Sequence, residues 1–192
     1  MKKKLSIIFW SSAILISSCS FNGTLQGLFS YYNKTEKESE INFVNFNSSD
    51  DCIHLLSDSA SVLIANGNEI NKCLSEYQKS VIYIWTPNCK GRYCYSLNLL
   101  QETCNQKGYE LFIVAEYFDI YYMSKYYEIS HPLIGIDVKY YKTNLTSKYL
   151  SKFILDLTNG KYKYDIKHDN YCNFLCFENG EFKRAFMPIE DL

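Results

Sequence analysis

Tyr83-Ile84-Trp85-Thr86-Pro87-Asn88-Cys89-Lys90-Gly91-Arg92-Tyr93-Cys94 is the stretch that decides the fold of this chain. Residues 81–85 are an unbroken apolar run of strand length, the pattern of a strand buried on both faces. A short turn follows, and Cys89 stands where the next helix is expected to begin. Free backbone N–H groups and the helix dipole at such a position favour the thiolate. Lys90 and Arg92 add positive potential, and Cys94 is near enough in sequence to resolve a mixed disulfide.

Outward from this stretch the chain alternates. Residues 62–65 read as a short strand, followed by the turn Asn66-Gly67-Asn68. Ile70, Cys73, Leu74 and Tyr77 then recur at helical spacing. After Cys89 a helix is predicted with the stripe Tyr93, Leu97, Leu100 and Cys104, ended by Gly108. Residues 111–115 form a second continuous apolar strand, and helical segments are predicted over 119–127 and 145–157. The chain closes with strands over 173–177 and 181–186 around Glu178-Asn179-Gly180, the strongest short hairpin signal available. Continuous apolar strands joined by helices imply an α/β fold with a parallel core, to which the hairpin adds antiparallel strands on one side.

The 192 residues suit one globular domain, and 47 % hydrophobic with 21 % charged residues excludes disorder and a polytopic membrane protein. Net charge is −1 and the basic residues form no block after the first four positions, so no nucleic-acid partner is expected. Those first positions matter for another reason. Lys2, Lys3 and Lys4 precede an apolar run over 5–16 and then Ser17-Ser18-Cys19-Ser20, which makes residues 1–18 a signal peptide. The Cys after small residues resembles the lipobox of bacterial lipoproteins, which implies lipidation (palmitate) at Cys19 and a membrane partner through that lipid. Ser20 after the lipidated Cys implies an outer-membrane lipoprotein facing the periplasm, where disulfides are permitted. From Cys19 on, 17 basic residues face 21 acidic ones, a net charge of −4. Residues 19–50 read as the lipidated Cys and a polar tether, with a short strand at 41–46, and residues 51–192 as the folded domain.

Over residues 61–186 the sequence resembles the thioredoxin-like superfamily, particularly its lipoprotein and membrane-anchored members. Trp85 lies four residues before Cys89, as the family's Trp precedes its nucleophile, and Phe177-Glu178-Asn179-Gly180-Glu181 matches the family's hairpin turn. Thr86-Pro87-Asn88-Cys89 with Cys94 also looks like peroxiredoxins whose redox cysteines have four residues between them, although Ile82 stands where those enzymes carry a Pro. The resemblance implies a three-layer fold, a central mixed sheet flanked by helices, and a redox-active centre. Cys89 would attack, Cys94 would resolve, and Trp85, Pro87 and Tyr171 would shape the substrate site. No cofactor or metal is implied; the partners would be protein or small-molecule disulfides.

The chain departs from that pattern in four places. Its pair is C-x4-C, and residues five apart on a helix differ by about 140° around the axis, so the first turn must be expanded into a loop, with Gly91 helping, or unwind on oxidation. The family's cis-Pro position falls on Cys172, which would then face Cys89 as a disulfide partner, a third redox thiol or a metal ligand. Tyr83 occupies the place of the buried acid that assists proton transfer, and the final helix is reduced to residues 187–192. A zinc cluster of Cys89, Cys94, Cys172 and His168 has no zinc-type spacing behind it.

The other cysteines have plainer readings. Cys73 and Cys104 sit on apolar helix stripes as small hydrophobes, and a Cys52–Cys73 pairing stays open. Cys172 and Cys176 share a face if their strand is regular. The Tyr-rich stretches 121–127 and 140–149 read as half-buried faces, and His131-Pro132 as a loop. The leading expectation is a thiol–disulfide oxidoreductase; the alternatives are a redox-inert binding lipoprotein and, behind it, a thiol peroxidase.

Overall fold

The computed structural model describes residues 27–46, 52, 61–91, 94–164 and 172–192. Cys19, His54, Arg92, Tyr93, His168 and Tyr171 lie outside the described residues, so the expectations attached to them stand as they were. Seven described strands form one sheet: β1 (Phe43–Asn45), β2 (Val62–Ala65), β3 (Lys79–Trp85), β4 (Glu110–Ala115), β5 (Leu133–Ile136), β6 (Phe174–Glu178) and β7 (Glu181–Phe186). Their order is β1-β2-β5-β4-β3-β6-β7. β1, β2, β5, β4 and β3 run parallel, while β6 is antiparallel to both β3 and β7.

Alternation along the strands divides the interior into two cores. Ile82, Ile84, Phe112, Val114, Leu175 and Phe177 face one side. There they meet α2 (Gly67–Leu74), α5 (Val138–Tyr141) and α6 (Thr146–Leu157). Val81, Tyr83, Trp85, Ile113, Phe174 and Cys176 face the other side. That face is covered by α1 (Tyr32–Glu38), α3 (Leu97–Lys107) and α4 (Ile120–Met123). The result is the three-layer, thioredoxin-like α/β architecture expected from the sequence.

Local chemistry fixes the joints between layers. Asn66 caps α2 rather than making a turn: its side chain accepts from the N–H groups of Asn68 and Glu69, and Glu69 accepts from the Asn66 N–H at 2.8 Å. Gly67, the first residue of α2, lies against α6 so closely that a Cβ there would sit 2.2 Å from the Phe153 carbonyl oxygen. The hairpin turns through Asn179 and Gly180, both at positive φ (50° and 76°), the conformation that matches the right-handed twist of the flanking strands. Asn71 ties the hairpin to the helices, donating to the carbonyls of Leu157 (2.8 Å) and Gly180 (3.1 Å).

Three differences from the sequence reading have physical causes. β5 has no counterpart in the sequence reading, because it is only four residues long behind the His131-Pro132 loop, yet it inserts between β2 and β4. Gly135 makes that insertion possible, since a Cβ there would lie 2.6 Å from the Phe118 ring. Within the stretch read as a tether, α1 packs its Tyr32 into the core, beside β1, which falls in the short strand expected over 41–46 and pairs with β2. Burial of Tyr32 among Phe43 and Phe118 holds that otherwise polar stretch to the sheet. The predicted helix over 119–127 is confined to α4, whereas the reduced final helix expected over 187–192 is present as a single 3₁₀ turn, Ile189–Asp191.

Candidate functional site

β3 is flanked by β4 and β6, and its carboxyl end delivers Trp85 to the edge of the sheet with the chain still buried. The helix expected at Cys89 starts at Leu97, eight residues later. The described residues between them are not helical, in keeping with the expanded first turn that a C-x4-C pair requires. The Cys89 N–H donates to the Thr86 carbonyl, and the Cys94 N–H to the Gly91 carbonyl, each at 3.2 Å. The Cα atoms of Cys89 and Cys94 lie 5.6 Å apart, and the two sulfurs form a disulfide. Cys89 is exposed and Cys94 half-buried. The Gly91 N–H donates to Cys94 Sγ at 2.7 Å, so a backbone donor already points at the sulfur that would become a thiolate if the bond were broken at Cys89.

Because Cys89 stands well ahead of α3, the expected support of its thiolate by the helix dipole does not apply. Cations supply positive charge instead. Lys90 is exposed beside it, and Lys125 reaches the same hollow from the loop after α4. The Lys125 Nζ lies 3.9 Å from the ring centre of Tyr121 and 4.5 Å from that of Tyr122, a cation–π arrangement that holds the charge in place.

The loop is fastened from β4 and α4. Thr86 Oγ1 donates to Glu116 Oε2 at 2.6 Å, the Tyr117 hydroxyl donates to the Pro87 carbonyl, and the Tyr122 hydroxyl donates to Asn88 Oδ1 at 2.9 Å. Asn88 adopts φ 59°, a left-handed conformation that Asn tolerates better than most residues. Burial pushes the phenol of Tyr117 well above its ordinary value, aided by the nearby carboxyls of Asp119 and Glu116, so it stays a proton donor throughout the neutral range. Beneath the disulfide, Trp85 meets Tyr127 edge-on at 5.8 Å, and Tyr83 stacks on Phe174 at 4.8 Å. An open hollow of about 320 Å³ lies over the pair, bounded by Trp85, Asn88, Tyr95, Tyr122, Lys125 and Tyr127.

The expected site residues therefore separate. Cys89, Cys94, Trp85 and Pro87 come together. Cys172 is engaged elsewhere, sharing a hydrogen bond with the phenol of Tyr162, and does not line the hollow. Tyr162, raised to about 12 by burial and by that thiol, packs on the core under α2 and α6, stacked on Phe182 at 5.4 Å. Cys176 lies in the opposite core and pairs with Tyr109. Cys172 and Cys176 thus part company because regular alternation begins only at Phe174.

Cys104 is buried with its thiol pushed up to about 12 by desolvation, the inert core residue its helix stripe implied. Cys73 is both a stripe residue and a disulfide partner of Cys52. No group of three or more His, Cys, Asp or Glu side chains is poised for a metal among the described residues, and none of their helices is long and apolar enough to cross a membrane.

Sequence reasoning missed Glu116, Tyr117, Tyr122 and Lys125. The only signal for the last two was the Tyr-rich run 121–127, which reads equally well as an ordinary half-buried face. Comparison with known protein families, curated proteins and solved structures gives no match.

Proposed function

We propose that this chain is a thiol–disulfide oxidoreductase of the thioredoxin-like superfamily, anchored by lipid at Cys19 to the periplasmic side of a bacterial outer membrane after removal of its signal peptide. The observation that carries the redox reading is an exposed Cys89 disulfide-bonded to a more protected Cys94, on a loop at the end of a central strand. In the reduced protein the Cys89 thiolate attacks one sulfur of a substrate disulfide, and the other substrate sulfur departs as a thiolate. Cys94 then attacks Cys89 Sγ, the substrate's remaining sulfur leaves, and two electrons have passed from the cysteine pair to the substrate. Run backwards, the same exchange oxidises a substrate dithiol, with Cys94 leaving as the thiolate toward which the Gly91 N–H points. Trp85 and Pro87 shape the site, and Tyr171 retains the substrate-side role that the resemblance gives it.

The test is the reduction potential of the cysteine pair in glutathione buffers, with disulfide mapping by mass spectrometry at each end. A reversible Cys89–Cys94 couple between about −120 and −270 mV is expected, the span of known exchange catalysts. A pair that never exchanges returns the chain to its second reading, a redox-inert binding lipoprotein. One observation favours that alternative: Cys89 stands eight residues ahead of α3 and so lacks the helix-dipole support that activates a thiol.

A further inference from the structure

The hollow over the disulfide is adjoined on one side. Lys125 and Tyr127 bound it, and both also line a second, larger depression of about 690 Å³. That depression runs from the loop after α4 to the connection between α1 and β1. Its floor is apolar, made by Ile120, Met123, Ile129 and Leu133, of which Met123 and Leu133 are buried and only their outer atoms are presented. Its far end is acidic: Glu38 and Glu40 are both exposed there, and the Lys34–Glu38 ion pair at 3.9 Å joins two solvent-exposed side chains and is weak.

A small disulfide needs only the first hollow. Two adjoining depressions that lead from an exposed sulfur, over an apolar floor, to an acidic end make together a furrow that matches an extended peptide whose cysteine meets Cys89. Next to that cysteine the peptide would carry apolar side chains, and beyond them basic ones. Met123 in the floor adapts to differing apolar side chains, and Tyr126, 84 % exposed on the rim, offers a further apolar surface. We propose that this furrow docks an extended, apolar-then-basic segment of a protein substrate, making polypeptide disulfides rather than small-molecule ones the preferred partners. The chemistry of the exchange rests on the redox reading above; the docking does not.

The experiment uses the full chain in detergent and two fluorescent peptides, each with one cysteine flanked on both sides by leucines. In one peptide lysines follow the leucines; in the other, glutamates do. Binding is read by anisotropy on a Cys89→Ser/Cys94→Ser variant, so that neither sulfur of the site can bond to the peptide. The lysine peptide should bind about tenfold more tightly than the glutamate peptide, and Glu38→Lys/Glu40→Lys should erase or reverse that preference. Equal binding of both peptides, or a preference that survives the charge reversal, overturns the proposal. Exchange of the unmodified protein with glutathione disulfide is measured alongside. Docking without any exchange supports the furrow and sinks only the redox reading, whereas exchange with no peptide preference does the reverse.

Discussion

The hydroxyl of Tyr122 donates to Asn88 Oδ1 at 2.9 Å, joining α4 to the residue just before the exposed cysteine, 34 positions earlier in the chain. Through this bond and the Tyr117–Pro87 contact, the Tyr-rich segment after β4 positions a loop that has no helical structure of its own.

Removing that hydroxyl should loosen the loop. Tyr122→Phe is expected to lower the stability of the oxidised protein by about 0.5–1.5 kcal/mol, the usual net worth of one hydrogen bond. Asn88→Gly keeps the left-handed backbone and deletes the same acceptor. In urea unfolding, the double variant should lose less than the two single losses added together. Strict additivity would mean that the bond carries no coupling.

The two disulfides differ sharply in access. Cys52 and Cys73 are 2 % and 0 % exposed, while Cys89 is open to solvent. A limiting amount of a phosphine reductant, followed by alkylation and peptide mapping, should label Cys89 and Cys94 first. Cys52 and Cys73 should be modified only as the protein unfolds. Equal labelling of both pairs at low reductant would contradict this ordering.

The Cys52–Cys73 bond closes a loop with a sequence separation of 21 and ties Cys52 to α2. Its loss through Cys52→Ala should cost about 3 kcal/mol of stability by the chain-entropy relation, read as a lower denaturant midpoint. Cys89→Ala, which opens a loop with a separation of only 5, should cost less.

Gly67→Ala tests the crossing of α2 and α6. The added Cβ meets the backbone of Phe153 and Leu157, at 2.2 and 2.6 Å, and backbone cannot rotate away as a side chain would. The helices must separate, at about 1–3 kcal/mol or more. Gly108→Ala is the contrasting control: a Cβ there meets nothing within 4 Å, and its cost is that of φ 72° alone. Thermal unfolding of both variants distinguishes a clash from backbone strain.

Alkaline stability has a definite sign. Burial raises the Cys104 thiol from its ordinary 9.0 to about 12, and it raises the phenols of Tyr141 and Tyr149 as well. Once pH passes about 9 for the thiol and about 10 for the phenols, the unfolded chain has released these protons and the folded chain has not, so stability falls as pH rises. The contribution is fully present below the unfolded values and lost as pH climbs through the folded ones. Cys104→Ala should flatten the lower part of that decline in unfolding midpoints measured from about pH 8 upward.

What the sequence made legible follows from how local each signal was. The continuous apolar runs of β3 and β4, the stripe of α6 and the Asn179-Gly180 turn each announce themselves within a few residues, and together they define the layered sheet. β1 falls inside the short strand expected over 41–46, but β5 does not announce itself, because a four-residue strand is held by tertiary partners rather than by its own pattern. At the site, the Cys89–Cys94 loop could be anticipated from the geometry of a five-residue offset. The fastening by Glu116, Tyr117 and Tyr122 could not, since it depends on which strand end lies beside β3. Cys172 shows the limit of parity: it shares a face with Cys176 only on a regular strand, and β6 starts two residues later, at Phe174, so the chain before it leads Cys172 to Tyr162.

The order of the cysteines along the chain bears on how the protein matures. Cys52 pairs with Cys73, and Cys89 with Cys94, so each bond joins two cysteines with no other between them. A polypeptide emerging amino end first, through a ribosome or a membrane pore, presents each partner next after its mate. With Cys19 occupied by the proposed lipid, sequential oxidation then gives the native pairing directly, without an isomerase. The sheet itself waits longer: β6, which covers the open side of β3, is drawn from the last twenty residues, so the covalent bonds can close before the fold that surrounds them is complete.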